Sequence, residues 1–169
     1  MDWLIDQQVP FTAVARDAQR TQEMMAQRVV RLESATYEII ETAHEVDALA
    51  RAFQGAKVVC NTVGPFVNFG LTAVEAALKA GCHHIDTTGE QGYIREVRDR
   101  FGDLYRQAGL LVSPSIAYMY TFAEIAAELA LETPGIDALE TAALCRGPRG
   151  GASGVTVGST ASIFELYRQ

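Results

Sequence analysis

Three things are scarce in this 169-residue sequence. No run of about 18 apolar residues occurs, so nothing in it reads as a membrane span. Positive charge is in deficit, with 14 Lys and Arg against 21 Asp and Glu and a net charge of −7. A nonspecific nucleic-acid binder needs a basic face, so that class is excluded, although room remains for a local basic pocket that takes one phosphate. Cysteine is sparse and odd in number: Cys60, Cys82 and Cys145 have no motif spacing. They read as reduced core thiols of a cytoplasmic protein rather than a disulfide framework. The start, Met-Asp-Trp-Leu-Ile-Asp-Gln-Gln, lacks the basic opening and long apolar stretch of a signal peptide.

What is present is an ordinary globular balance, 49% apolar and 21% charged, in a chain long enough for one domain with a real core. The stretch Lys57-Val58-Val59-Cys60-Asn61-Thr62-Val63-Gly64-Pro65-Phe66 stands out. A short β-branched run ends in polar residues and then Gly-Pro. That is the pattern of a buried parallel strand whose carboxyl end opens on a crevice.

Elements alternate around it. Asp2 to Gln8 reads as the last turns of a helix. Phe11 to Ala15 reads as a strand, and Asp17 as the cap of a helix reaching Arg28, with Met24 and Met25 as core contacts. Tyr37 to Glu41 is a second strand with Ile39 and Ile40 buried. Thr42 to Glu45 has capping-box spacing before a helix that carries Val46, Leu49 and Phe53. After the strand at Lys57 to Val63 come a helix over Leu71 to Ala80, a strand over His83 to Thr87, a helix over Tyr93 to Ala108 and a strand over Leu110 to Val112. In the last helix Ile94, Val97, Phe101, Leu104 and Ala108 step by three and four. Thr121 to Glu124 is a second capping box. Ala138 to Cys145 reads as a strand, Gly147 to Gly154 as a flexible loop and Ser159 to Arg168 as a helix. Strand-helix alternation with short connections predicts an α/β fold, a mostly parallel sheet with helices on both faces.

Two stretches, Asn61 to Phe66 with Gly70, and Ala80-Gly81-Cys82-His83-His84-Ile85-Asp86-Thr87-Thr88-Gly89-Glu90, together resemble the saccharopine dehydrogenase-like oxidoreductases, which include trans-acting enoyl reductases. Members carry a "vGPf…G" stretch followed by "aGxhYvDxxGE", and both are matched at the expected separation. Ala15-Arg16-Asp17 is similar to the family's "aGRd", with Ala for Gly. The resemblance implies an incomplete doubly wound (Rossmann-like) parallel sheet, with the first strand and glycine-rich turn missing. Residues 1–116 would be a partial dinucleotide-binding domain and 117–169 the start of an α+β substrate or dimerisation region. The chain then reads as a fragment of a longer enzyme.

The resemblance also implies an NADP cofactor, a small-molecule substrate and homo-oligomerisation as an open option. Arg16 would pair with the 2′-phosphate, against the bland reading of a solvated arginine. Asn61, Thr62, Val63, Gly64, Pro65 and Phe66 would form a shelf beside the ribose and nicotinamide, against a tight turn with no ligand. Asp86, Thr87, Gly89 and Glu90 would face the substrate. For Asp86 and Glu90 a satisfied strand-end carboxylate and a helix-start glutamate outweigh acid-base work. Cys60 reads as a wall residue rather than a nucleophile. Cys82, His84 and Asp86 share a strand face, but their spacing is not that of a metal site, so none is expected. Tyr118 and Tyr120 could reach the nicotinamide pocket or simply pack. A sugar-nucleotide epimerase would carry Tyr-x-x-x-Lys, which is absent. The alternative from a different class is a non-catalytic interaction module that has lost dinucleotide binding.

Overall fold

The computed structural model describes residues 1–140, with nothing stated of the side chains of Tyr118 and Met119. The expected loop at Gly147 to Gly154, the helix at Ser159 to Arg168 and most of the strand at Ala138 to Cys145 lie outside the described residues. The order is α1 (Asp2–Asp6), β1 (Phe11–Ala15), α2 (Ala18–Arg28), a 3₁₀ turn (Leu32–Ser34), β2 (Tyr37–Glu41), α3 (Val46–Ala52), β3 (Val58–Asn61), α4 (Phe66–Lys79), β4 (His83–Asp86), α5 (Gln91–Gln107), β5 (Val112–Ser113) and α6 (Tyr118–Leu131).

Every strand pairing among the described residues is parallel. β1 pairs with β2 in the register Phe11↔Tyr37 to Ala15↔Glu41. β3 pairs with β4, from Val58↔His83 to Asn61↔Asp86, and β4 with the short β5. No ladder joins β1 to β3, so the described strands form a two-stranded and a three-stranded sheet. The order β2-β1 beside β3-β4-β5 is that of a doubly wound sheet with no described strand in its innermost position. The two parts still pack: Val14 of β1 meets the cluster that holds Val59 of β3. The Nε2 of His44, just past β2, lies 2.9 Å from the carbonyl oxygen of Phe69 in α4.

α4 organises the core. Ala76 and Ala77 face Leu49, Ala50 and Phe53 around α3 together with Val59 and Cys82. Phe66 and Val74 face Tyr93, Val97, Phe101 and Tyr105 of α5. Gly70 lets the second contact close. A Cβ there would stand 2.3 Å from Cε2 of Tyr93, so the tyrosine ring lies directly against the helix at this point.

Several expectations need correction. α4 begins at Phe66, five residues before Leu71, because its first amides are held from a distance by Glu90. Neither capping box forms. The Thr42 amide donates to the carbonyl of Ala15, extending the strand pairing, and α3 starts only at Val46. Thr121 sits inside α6, which starts at Tyr118. The buried stripe of α5 is Tyr93, Val97, Phe101 and Tyr105, and Leu104 is exposed. Both tyrosines can go inside because each hydroxyl finds an acceptor: Tyr93 donates to Asp86 and Tyr105 to the carbonyl of Val74. Met24 is exposed while Met25 is buried, and Ile39 and Ile40 are half-buried. β3 is buried on one face only. Val59 and Asn61 lie under the helices, whereas Val58 is 49% exposed and Cys60 is open to solvent.

Candidate functional site

The strand tips meet along one edge of the molecule. At the end of β1, Arg16 is exposed and joins no ion pair among the described residues. Asp17 caps α2 as its position predicts, accepting from the Arg20 amide at 2.8 Å. The Ala18 amide donates to Oε2 of Glu41 at 2.8 Å. Two carboxylates thus close the N-terminus of α2.

At the end of β3 the Asn61 side chain is buried, and its Oδ1 accepts from the Val63 amide at 3.0 Å, which folds the loop back on itself. That leaves Thr62 and Val63 exposed, with Gly64 and Pro65 half-buried across a cis peptide bond. Phe66 turns inward against Tyr93, with ring centroids 5.7 Å apart. Of the six expected shelf residues, four therefore reach the surface, and Asn61 and Phe66 anchor them from below.

The end of β4 is densely hydrogen-bonded. Asp86 is 1% exposed. Its Oδ1 accepts from the amides of Thr88 and Ser115, each at 3.0 Å, and its Oδ2 accepts from the Tyr93 hydroxyl at 2.8 Å. Its carbonyl accepts from the Ile116 amide at 2.7 Å. One carboxylate thereby ties the tip of β4, the start of α5 and the segment after β5. Glu90, 4% exposed, accepts from the Phe66 amide at 2.9 Å and the Val67 amide at 2.7 Å. A buried carboxylate on two free helix amides is favoured by charge and by the helix dipole together. Both carboxylates face into the protein. Thr87 and Gly89 between them are the exposed members of the set. The Tyr120 hydroxyl lies over Gly89, 3.2 Å from where a Cβ would stand.

Residues that sequence reasoning did not single out for this tip are Tyr93 and Ser115, which hold Asp86, and Thr88, whose hydroxyl accepts from the Glu90 amide at 3.0 Å. Their roles depend on partners in other elements, and no local pattern marks them.

His84 shares the buried face. It is fully buried, and neither ring nitrogen has a hydrogen-bond partner; Nδ1 is 4.0 Å from Oδ2 of Asp86. Burial pushes its pKa down to about 4, against the opposing pull of the Asp86 charge. The same burial, with Asp86 beside it, drives the Tyr93 hydroxyl far above its usual range and keeps it a donor. The imidazole is neutral in the fold down to about pH 4, but in the unfolded chain it takes a proton near 6.5. Between those values the unfolded state binds the extra proton, so stability is full above 6.5 and falls as pH drops through that window. The loss is on the order of 3 kcal/mol. Urea midpoints at pH 7 and pH 4.5 are expected to differ more for the natural chain than for His84→Leu. Equal pH dependence in the two would contradict this.

The Arg16 guanidinium and the Thr62 hydroxyl are the exposed polar groups at the tips of β1 and β3. Pyrophosphate is normally held on free amides at a helix N-terminus. Here the first amides of α2 and α4 are taken by Asp17, Glu41 and Glu90. No group of three or more His, Cys, Asp or Glu among the described residues is placed to hold a metal ion. A surface groove of about 490 Å³, lined by Val29, Val30, Leu32 and Tyr37 among others, lies at the opposite end of β2 from the tips.

Comparison with known proteins places this geometry. No family model matches the chain. A protein of Mycobacterium tuberculosis named as a trans-acting enoyl reductase is 28% identical over 161 residues, covering 89% of this chain and 38% of that protein. A mitochondrial saccharopine dehydrogenase-like oxidoreductase of Arabidopsis thaliana is 31% identical over 85 residues, covering 50% of this chain and 18% of its own length. The chain is a relative of the saccharopine dehydrogenase-like oxidoreductases. Its fold agrees: apo saccharopine dehydrogenase (L-Glu forming) from Saccharomyces cerevisiae superposes with a TM-score of 0.59 at 15% identity, over 78% of this chain and 28% of that one. The chain spans less than two fifths of the mycobacterial relative.

Proposed function

We propose that this chain is the nucleotide-binding part of an NADP-dependent oxidoreductase that acts on a small-molecule substrate. The observation that carries the reading is Arg16, an exposed guanidinium with no ion-pair partner among the described residues, set at the tip of a parallel strand. A dehydrogenase that reads the plain ribose usually places an acidic side chain near this point, whereas an arginine answers a 2′-phosphate. The names of the relatives support oxidoreduction in general. When bound, the nicotinamide cofactor supplies the hydride.

In this reading Thr62, Val63, Gly64 and Pro65 present the ledge on which the ribose and nicotinamide rest, and Asn61 and Phe66 fix it. Thr87 and Gly89 present the substrate side, while Asp86 and Glu90 hold that side in place from beneath. No described side chain is assigned as the catalytic acid. The wider proposal keeps 1–116 as the dinucleotide-binding part and 117–169 as the beginning of a substrate or dimerisation region. It places the protein in the cytoplasm, with its thiols reduced. No helix among the described residues is long and apolar enough to cross a membrane.

A second reading has a specific observation in its favour. The closed starts of α2 and α4 suit a module that does not hold a dinucleotide at all. Titration with NADPH and NADH, followed by cofactor fluorescence, separates the two. The oxidoreductase reading expects saturable NADPH binding, tighter than NADH, with a tenfold or greater loss of NADPH affinity in Arg16→Ala and no change for NADH. Such a loss corresponds to about 1.4 kcal/mol, within reach of one charge-assisted phosphate contact. No binding by a folded chain supports the module.

A further inference from the structure

β1 and β3 each have one neighbour among the described strands, and the hydrogen bonds fix which backbone groups are left over. In a parallel strand the N–H and C=O of one residue point to one side and those of the next residue to the other. The Phe11 amide donates to the Thr36 carbonyl at 3.2 Å, and the Ala15 carbonyl accepts from the Thr42 amide at 2.9 Å. Phe11, Ala13 and Ala15 therefore direct their backbone groups at β2, and Thr12 and Val14 turn theirs away from it. The His83 amide donates to the Lys57 carbonyl at 2.9 Å. Lys57, Val59 and Asn61 therefore face β4, and Val58 and Cys60 turn away. The N–H and C=O of Thr12, Val14, Val58 and Cys60 have no hydrogen-bond partner among the described residues.

The two leftover edges border one slot. Val14 reaches the buried cluster that holds Val59, so the two sheets share a core although no ladder joins them. Inner strands of a parallel sheet are ordinarily buried on both faces. Here Thr12 and Cys60 are exposed and Val58 is 49% exposed. At the tip of β3 the Nδ2 of Asn61 is buried without a hydrogen-bond partner among the described residues.

We infer that this slot takes one extended apolar segment from outside the chain, running parallel to β1 and β3 and joining the two sheets into one. Residues of one phase in that segment donate to the Thr12 carbonyl and accept from the Val14 amide. Residues of the other phase donate to the Val58 carbonyl and accept from the Cys60 amide. A run matched to the 5 residues of β1, rich in β-branched side chains, suits a position covered on both faces. A second copy is a poor donor, because every described strand already lies in a ladder and would have to leave its own sheet. The described chain leaves the sheets at β5, with β4 between β5 and β3, on the side away from the slot. The inference goes beyond the NADP reading and does not rest on it: it makes the chain the acceptor in a strand-addition contact.

Amide hydrogen exchange of the ¹⁵N-labelled 169-residue chain tests it, with and without the blocked peptide acetyl-Lys-Thr-Val-Val-Ile-Val-Gly-Lys-amide. The control, acetyl-Lys-Thr-Pro-Val-Pro-Val-Gly-Lys-amide, lacks the amide donors of one phase. In the free chain the amides of Ala13, Ala15 and Val59 should be protected, and those of Thr12, Val14, Val58 and Cys60 should exchange fast. The first peptide should slow those four by about tenfold or more, the scale of one hydrogen bond, and the control should leave them fast.

Protection of the four amides before any peptide is added, in a monomer or a dimer, overturns the inference. So does a first peptide that leaves them fast at millimolar concentration, or a control that protects them equally. If the free chain lacks a dispersed spectrum, the same pair decides: dispersion gained with the first peptide alone supports the slot, and dispersion gained with neither or with both overturns it. No nucleotide enters this experiment, so neither outcome bears on the NADPH titration.

Discussion

Glu90→Ala is expected to destabilise the fold by about 4 kcal/mol, read as a fall in the urea midpoint at unchanged slope. The side chain is 4% exposed, and its two oxygens take the Phe66 and Val67 amides. Hydrogen bonds to a charged group contribute about 1.5 to 3 kcal/mol each, and removal strands two donors at a buried helix start. Alanine also leaves the N-terminal end of the α4 dipole without its anion. Because α4 carries both halves of the core, its first turn cannot loosen locally without exposing Phe66. Glu90→Gln should fall between the natural chain and alanine, since its one carbonyl oxygen replaces one of the two accepting carboxylate oxygens and its NH2 group sets a donor against the other amide. A loss below about 1 kcal/mol for alanine would mean that α4 is started by something other than Glu90.

Gly70→Ala should cost about 3 kcal/mol, although alanine is the better helix former by about 1 kcal/mol. The new methyl would stand 2.3 Å from Cε2 and 2.7 Å from Cζ of Tyr93. That ring is 1% exposed, packs on Phe66 and is held by its hydroxyl on Asp86. It can retreat only by giving up that bond, which adds about 1 to 3 kcal/mol for a buried acceptor left short of a partner. The double variant Gly70→Ala/Tyr93→Phe separates the parts. If strain on the tyrosine hydroxyl bond is the main cost, the two changes together cost less than the sum of each alone. Strict additivity, or a stabilising Gly70→Ala, would contradict the tight packing of α4 on α5.

How much of this was legible in the sequence follows the range of each interaction. Asp17 was readable as a cap because its partner amide is three residues away. The strands at Phe11 to Ala15 and Tyr37 to Glu41 were readable from short apolar runs, and the structure places both where expected. The start of α4 was not readable, because its cap lies 24 residues downstream in a different loop. The two apparent capping boxes failed for the converse reason. Their spacing is correct, but the Thr42 amide is claimed by strand pairing and Thr121 sits within a helix already begun.

Periodicity alone runs the apolar stripe of α5 through Leu104 and not Tyr105, since a tyrosine counts as inward only once a partner for its hydroxyl is known, and that partner is in α4. At the site, the polar strand tip of β3 and the cluster from Asp86 to Glu90 were visible as motifs. Which of those residues face solvent was not visible. The inward turn of Asp86 and Glu90 is set by amides from Phe66, Val67, Thr88 and Ser115, in three separate stretches of chain. No local pattern marks the contact of His44 with Phe69, 25 residues away, and only the fold brings the two together.

The most direct test of the central claim is a map of amide chemical shifts of the ¹⁵N-labelled chain during titration with NADP. The account predicts that the shifts cluster at Arg16 and Thr62 to Gly64. The Phe66 and Val67 amides should stay fixed, because Glu90 continues to hold them. Shifts centred on the groove at Val29 to Tyr37, displacement of Glu90 at the start of α4, or no response from a well-dispersed spectrum would contradict it.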